Sequence, residues 1–296
     1  MDRILEDISK WPIEKRRAKL EEIYEERIGV PLNLDNPQRY TEKAQWLKLY
    51  HRDPLMTKCV DKLTFKQFVR EKIGNGYTAP LIDVWHNPAD VKMEGIPDRC
   101  VIKSNCAKEG EYLKIIDGKE AYNLTQIEIE VKKWWFDRRY LNTNSFMNAY
   151  YDMEPCVLIE EYISDMRDAA AEYKFWCFEG TTKYIYCVEN HFVDGHNTIK
   201  TYPTSWFTVD WDYIDVKVGK HGSNPKARPP RHMDEMMWIS RKLSEEFSFV
   251  RVDFMETEDR VFLSELAFCP YSGLEPFVPD SFDYVLGKLW KLNKDK

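Results

Sequence analysis

The chain has 296 residues, 43% hydrophobic and 14% aromatic, enough apolar material for one large domain or a few small ones, which excludes wholesale disorder. A net charge of −7 argues against a general nucleic-acid binder, since phosphate contacts need clustered Lys and Arg, but it leaves room for a local basic pocket. Seven cysteines with no CxxC pair read as buried free thiols in a reducing cytosol rather than a disulfide framework or zinc site, and no apolar run reaches the ~18 residues a bilayer span needs.

The charged N-terminus has no signal-peptide core, so the expected compartment is the cytoplasm. Ile13, Leu20, Ile23 and Tyr24 recur at helical intervals and predict a helix over 12–27. A second helix is expected over 41–50, capped by Thr41 and carrying Ala44, Trp46 and Leu47 on or near one face. Both read as a structural cap on the main body. A third helix runs from Asp61 to the glycines at 74 and 76. Lys62 in its first turn opposes the helix dipole, so it is either exposed by chance or a phosphate ligand. A strand over 77–85 follows. Lys103 then interrupts an apolar strand beginning at Cys100, and a lysine there must find a partner or reach a cavity. After a small-residue turn over 104–110, the spacing predicts a helix over 121–136, an apolar strand over 155–163 ending in acids, and a hairpin of 172–178 with 182–188. Residues 189–232 read as long loops. In or beside them, His191, His196 and the basic run Lys226, Arg228 and Arg231 read as solvated groups, and Tyr184, Tyr186, Trp206 and Phe207 as core. A helix over 233–247 leads to two strands, and a turn at 269–273 and a helix over 282–292 close the chain.

Those two strands, 249–256 and 261–268, carry the most information. Successive strand side chains point to opposite faces. Val250, Val252 and Phe254 therefore share one face, and Arg251, Asp253 and Met255 the other. On the second strand Leu263, Glu265 and Ala267 share a face. A hairpin centred near Asp259 sets Asp253 opposite Glu265. Carboxylates directly across a ladder repel. A divalent cation held between their oxygens would offset that repulsion, with Arg251 alongside to receive an anion. The alternative is an edge hairpin whose charges face water.

The order of these pieces resembles the ATP-grasp superfamily: an Asp-Lys-led helix, a buried-strand lysine, a small-residue turn, a strand ending in two acids, then an acid–acid hairpin. The closer resemblance is to its TupA-like family. It is carried by Thr41-Glu-Lys-Ala-Gln-Trp-Leu-Lys-Leu-Tyr50, Asp53-Pro-Leu-Met-Thr-Lys-Cys-Val-Asp-Lys62, residues 157–163, Glu172-Tyr-Lys-Phe-Trp-Cys-Phe-Glu-Gly180 and residues 243–273. The resemblance implies an α+β ATP-grasp fold in which two α+β lobes clasp a nucleotide. Residues 1–60 are then an N-terminal helical segment, 61–100 a small α/β lobe, 101–163 the central lobe and 164–296 the C-terminal lobe with a metal-binding hairpin.

Carried over position by position, Lys62 and Lys103 match phosphate-facing lysines. Glu160, Glu161, Tyr162 and Ile163 match the hinge that meets adenine, Glu172 the acid on the ribose hydroxyls, and Lys174 a further phosphate or substrate contact. Asp253 and Glu265 match ligands of Mg²⁺. Arg251 matches the cation beside an acyl phosphate, and with Lys103 it forms the implied catalytic pair. Ala267 stands where many ATP-grasp enzymes carry Asn, and 104–110 is poorer in glycine than the usual phosphate flap. The implied cofactors are ATP and Mg²⁺. The implied reaction moves the terminal phosphoryl group onto a carboxylate, and an amine then attacks the acyl phosphate to give an amide, ADP and phosphate. The resemblance also implies surface-polysaccharide biosynthesis: a uronic-acid carboxyl group, a small amine or amino acid, and association with polysaccharide-assembly enzymes, with no nucleic acid and no membrane insertion. Two other readings stay open. One is a sugar transferase, with Asp210-Trp-Asp212 as its nearest metal signature; the other is a silent fold that binds a glycan enzyme.

Overall fold

A computed structural model describes residues 7–106, 112–136, 146–163, 171–189, 202–219 and 221–292. The helices are α1 (Ile13–Ile28), α2 (Tyr40–Tyr50), α3 (Pro54–Val60), α4 (Lys62–Ile73), α5 (Leu124–Trp134), α6 (Met233–Ser244) and α7 (Ser281–Leu289). The strands are β1 (Leu81–Trp85), β2 (Arg99–Ser104), β3 (Leu113–Asp117), β4 (Val157–Glu161), β5 (Ala171–Phe178), β6 (Thr181–Glu189), β7 (Thr204–Thr208), β8 (Tyr213–Ile214), β9 (Lys217–Val218), β10 (Phe249–Glu256), β11 (Val261–Ala267) and β12 (Phe277–Val278). Among the described residues, no helix is long and apolar enough to cross a membrane.

Local chemistry explains where several elements start. Asp61 caps α4 by accepting the Leu63 amide at 2.8 Å, and Asn123 caps α5 by accepting that of Gln126 at 3.0 Å. The second cap starts α5 three residues later than the spacing predicts. Helix α2 begins one residue early, and Thr41 does not cap it. Instead Glu42 accepts the amides of Gln38 and Arg39, at 2.7 and 3.0 Å, while Thr41 donates its amide and hydroxyl to Asp283, at 2.9 and 2.6 Å. Strand β7 lies in the stretch expected to be loop. Five residues are too short for a period to stand out, yet Trp206 and Phe207 are fully buried there.

The chain divides into two compact units. One comprises Met1–Pro12, Arg52–Phe68 and Thr78–Ile163, and the other Ile13–His51, Val69–Tyr77 and Ser164–Lys296. In the first, an antiparallel sheet in the order β1-β4-β2-β3 is covered by α5. Ile127, Val131 and Trp134 recur along that helix at intervals of four and three and join Cys100, Ile102, Ile116, Val157 and Ile159 in a single apolar cluster.

The second unit is built on a sheet in the order β11-β10-β5-β6-β7-β8. Its period-two alternation separates two faces. Val250, Val252, Phe254, Phe175, Cys177 and Ile185 line the face that α6 covers, where Thr182 and Ser240 share a 2.8 Å hydrogen bond. The opposite face is aromatic at one end. Trp176 packs 4.9 Å from Trp206 and 5.0 Å from Tyr40 of α2, and Phe249 packs 4.7 Å from Trp290 just beyond α7. Its other end, along the same strands, carries charge.

Burial also decides the thiols. Six of the cysteines are buried and Cys269 is half-buried, all of them free. Burial pushes the Cys156 thiol up to about 12 and those of Cys177 and Cys269 to about 11. Ellman's reagent at pH 7.5 is expected to leave the folded protein unmodified over minutes and to titrate all seven thiols after unfolding in guanidinium. Fast reaction of folded protein would contradict this packing.

Candidate functional site

Two buried clusters of charges, one in each unit, contain residues that the sequence singles out. In the first unit, β4 is flanked by β1 and β2, so its residues are covered on both edges. Glu160 lies opposite Val101 of β2 and Leu81 of β1 and is only 2% exposed. Its carboxylate sits between two ammonium groups, Lys103 Nζ from β2 and Lys66 Nζ from α4, each at 2.7 Å. Burial works to raise the Glu160 carboxyl, but Lys103 and Lys66 together hold it below the usual carboxylate range. Burial also pushes the Lys66 ammonium below its ordinary value, against the pull of Glu160. The partner that a strand lysine demands is thus Glu160.

The other residues expected to meet the nucleotide in this unit lie on α4 and at the end of β4. The Lys62 amide donates to the carbonyl of Asn105 at 3.1 Å, and Asn105 Nδ2 donates to Asp61 at 3.0 Å, which ties the start of α4 to the end of β2. The Glu161 amide donates to the Pro80 carbonyl at 3.0 Å, and the Arg99 guanidinium lies 4.7 Å from the ring centre of Tyr162. Ile163 is half-buried. Turn residues 107–110, together with His191 and His196, lie outside the described residues.

In the second unit the hairpin register is the one the alternation implies, with Asp253 opposite Glu265. Beside it, β5 sets Lys174 opposite Asp253 and Glu172 opposite Met255. Arg251 grips Asp253 through Nε at 2.7 Å and Nη2 at 2.5 Å, and the same Nη2 reaches Glu265 Oε1 at 3.0 Å. Lys174 bridges Asp253 Oδ2 at 3.1 Å and Glu172 Oε2 at 2.8 Å. Burial works to lower the Arg251 guanidinium, yet Asp253 and Glu265 raise it well above its ordinary value.

This arrangement corrects two expectations. The facing acids do not depend on a metal alone for mutual tolerance, nor do they simply face water. Arg251 spans both, and Lys174 balances the far side of Asp253, which is 1% exposed. Desolvated charges persist when each is paired and hydrogen-bonded in this way. The second correction concerns Leu263. The register slips between Asp253 and Phe254, a β-bulge that pairs Phe254 with Leu263 and turns Leu263 to the α6 face, away from Glu265. Ser264 Oγ donates to the Asp253 carbonyl at 3.2 Å at this bulge.

Further residues enter the second cluster that spacing did not single out. Tyr271 lies 5.9 Å from the Arg251 guanidinium, on a turn, Pro270–Gly273, where Tyr271 and Ser272 adopt φ of 54° and 57°. Helix α2 holds that turn. Gln45 Nε2 donates to the Gly273 carbonyl at 2.7 Å, and the buried ammonium of Lys48 donates to Ser272 O and, at 2.9 Å, to Gln45 Oε1. A helix read as a cap therefore supports the residue beside Arg251. Its visible signal is Gln45 and Lys48, two polar residues either side of the apolar pair Trp46 and Leu47.

The donor chemistry fits Mg²⁺, a hard cation that takes one or two carboxylates and completes its shell with phosphate oxygens and water. Asp253 and Glu265 supply two carboxylates in register, and the Glu265 side chain is 51% exposed. Among the described residues no group of three or more His, Cys, Asp or Glu side chains stands ready to hold a metal by itself. Asp210 and Asp212 flank Trp211 in an exposed turn between β7 and β8, where Trp211 has φ of 66° and stacks on Phe207 at 4.2 Å. Arg228 and Arg231 are exposed.

A sequence model of the family described as TupA-like ATPgrasp matches residues 42–291. No curated protein matches the chain. Similar solved structures include D-alanine–D-alanine ligase from Bacillus anthracis (17% identity, TM-score 0.39, 70% of this chain and 56% of that one). The ligase of the same name from Helicobacter pylori shows 14% identity and TM-score 0.45 over 86% of this chain and 70% of that one. N5-carboxyaminoimidazole synthetase from Staphylococcus aureus, complexed with ADP, shows 14% identity and TM-score 0.38 over 78% and 52%. The chain thus spans between 52% and 70% of the length of these structures. With TM-scores below 0.5, it is the family match and not these superpositions that identifies the chain.

Proposed function

The chain belongs to the TupA-like ATP-grasp family, and from that premise we propose that it is an ATP-dependent carboxylate–amine ligase of the cytoplasm. Its substrates are the carboxyl group of a uronic acid, on a nucleotide sugar or a surface glycan, and an amine or amino acid. The product amide belongs to capsular or other surface-polysaccharide biosynthesis, alongside the enzymes that assemble that polymer. The observation that carries this reading is the second cluster: an arginine and two carboxylates held in register on one hairpin, with Lys174 and Glu172 on the next strand.

The chemistry follows from those groups. A carboxylate is a poor electrophile, and bringing it to the terminal phosphate of ATP sets two anions against each other. Lys62 and Lys103 reduce that repulsion on the phosphates, and Arg251 receives the charge of the acyl phosphate. Residues 160–163 bind the adenine, Glu172 the ribose hydroxyls, and Lys174 keeps Glu172 and Asp253 oriented. Asp253 and Glu265 would hold Mg²⁺, which when bound would supply further charge neutralisation for phosphoryl transfer. The reaction needs no side-chain nucleophile, and burial raises the thiols of Cys100, Cys106, Cys156, Cys177, Cys187 and Cys269 above their ordinary value.

The test is an ADP-release screen of the purified chain with ATP, Mg²⁺, UDP-linked uronic acids and a panel of amines. ADP release that requires both a uronic acid and an amine is expected. UDP release without ATP consumption would instead establish sugar transfer.

A further inference from the structure

Glu160 has two cationic partners, and they are not equivalent. Lys66 is the more buried, with its side chain 14% exposed against 26% for Lys103. Lys66 is also anchored a second time, since its ammonium donates to the Ala79 carbonyl at 2.5 Å. Lys103 sits on β2 one residue before Ser104, where that strand ends, and it is the lysine the nucleotide reading assigns to the phosphates.

A difficulty follows for any lysine with that assignment. An ammonium that moves onto a phosphate must leave its carboxylate, and a carboxylate as buried as Glu160 is not released into water. Were Lys103 its sole partner, nucleotide binding would strand a buried charge, and Lys103 would stay where it is. A second, firmly held cation removes the obstacle.

We propose that Lys66 is a positioning residue that keeps Glu160 paired, so that Lys103 can transfer from Glu160 to the phosphates of ATP. This rests on the nucleotide-binding reading above and adds to it a residue that does not touch ATP. Lys66 lies one helical turn after Lys62 on α4, so one helix carries both a cation for the phosphate and the cation that frees another. The arrangement acts on affinity: removing Lys66 does not remove a phosphate contact but locks one away.

The experiment is titration of the full chain with ATP and Mg²⁺ by isothermal calorimetry in a double-mutant cycle. Lys66→Met is expected to melt earlier than the unsubstituted protein but still to fold, because Lys103 still pairs Glu160, and to weaken ATP binding tenfold or more. In the Glu160→Gln background, where no charge captures Lys103, the same substitution is expected to weaken binding less than twofold. That contrast is one a merely structural role would not produce. Equal losses in the two backgrounds, or no loss in either, overturn the proposal while leaving the nucleotide reading intact. Absence of ATP binding by the unsubstituted protein overturns both.

Discussion

Asp253→Asn is expected to destabilise the protein as well as to stop turnover. Asp253 is almost wholly buried and accepts from Arg251 twice and from Lys174 once. Asn keeps the shape but loses the charge, leaving two desolvated cations to share Glu172 and the half-exposed Glu265. Removing one member of a buried ion network typically costs about 3 kcal/mol or more. Urea unfolding should show that loss, and ADP release should fall by at least about 100-fold, as when one preorganised charge contact is removed from a transition state. Glu265→Gln provides the contrast. Its carboxylate is half exposed and touches Arg251 through a single oxygen. A stability change under about 1 kcal/mol is expected there, with a comparable loss of turnover. If Asp253→Asn unfolds like the unsubstituted protein, the network does not hold the sheet face together. Full activity of Glu265→Gln would remove it from the metal site.

Among the described glycines, Gly287→Ala is expected to be the most disruptive substitution by alanine. Gly287 lies where α7 crosses the approach to α2, and a Cβ there would overlap the Gln38 carbonyl oxygen and stand 2.9 Å from the carbonyl carbons of Gln38 and Arg39. These are backbone atoms, and they are already fixed. Glu42 holds the amides of Gln38 and Arg39, Arg39 pairs with Asp280 at 3.0 Å, and Lys43 caps the end of α7 by donating to Gly287 O at 2.7 Å and Trp290 O at 2.6 Å. Overpacking that side-chain rotation cannot relieve costs about 2–3 kcal/mol. Because α2 also carries Gln45 and Lys48 to the turn beside Arg251, activity should fall with stability. Gly222→Ala is the control, since nothing lies within 4 Å of a Cβ there and its φ is not positive. It should change stability by less than about 0.5 kcal/mol. Equal melting of the two variants would refute the close approach.

Much of the site was legible because strand periodicity is rigid. Counting by twos from Phe249 brings Arg251 and Asp253 to one face, a hairpin centred near Asp259 sets Asp253 opposite Glu265, and both hold in the structure. The demand that Lys103 find a partner was equally readable, because an unpaired ammonium in an apolar strand is prohibitive. The identity of that partner was not. Glu160 lies 57 positions further along and meets Lys103 only because β4 inserts beside β2, and Lys66 joins them from a helix that spacing marks only for Lys62. No local pattern encodes a non-local pairing.

What the residues alone determined is therefore whatever depends on neighbours along the chain: the two-residue alternation of the hairpin, the helix start at Asp61, and an order of motifs specific enough to resemble one family. Only the tertiary structure decided what depends on neighbours in space. It turned Leu263 away from Glu265 at a bulge, drew β7 out of an apparent loop, and set a lysine or an arginine beside each buried acid of the two clusters. The physical reason is the reach of the forces. Backbone geometry and capping act over a few residues, whereas a desolvated charge is stable only against a partner that folding itself brings within hydrogen-bond distance.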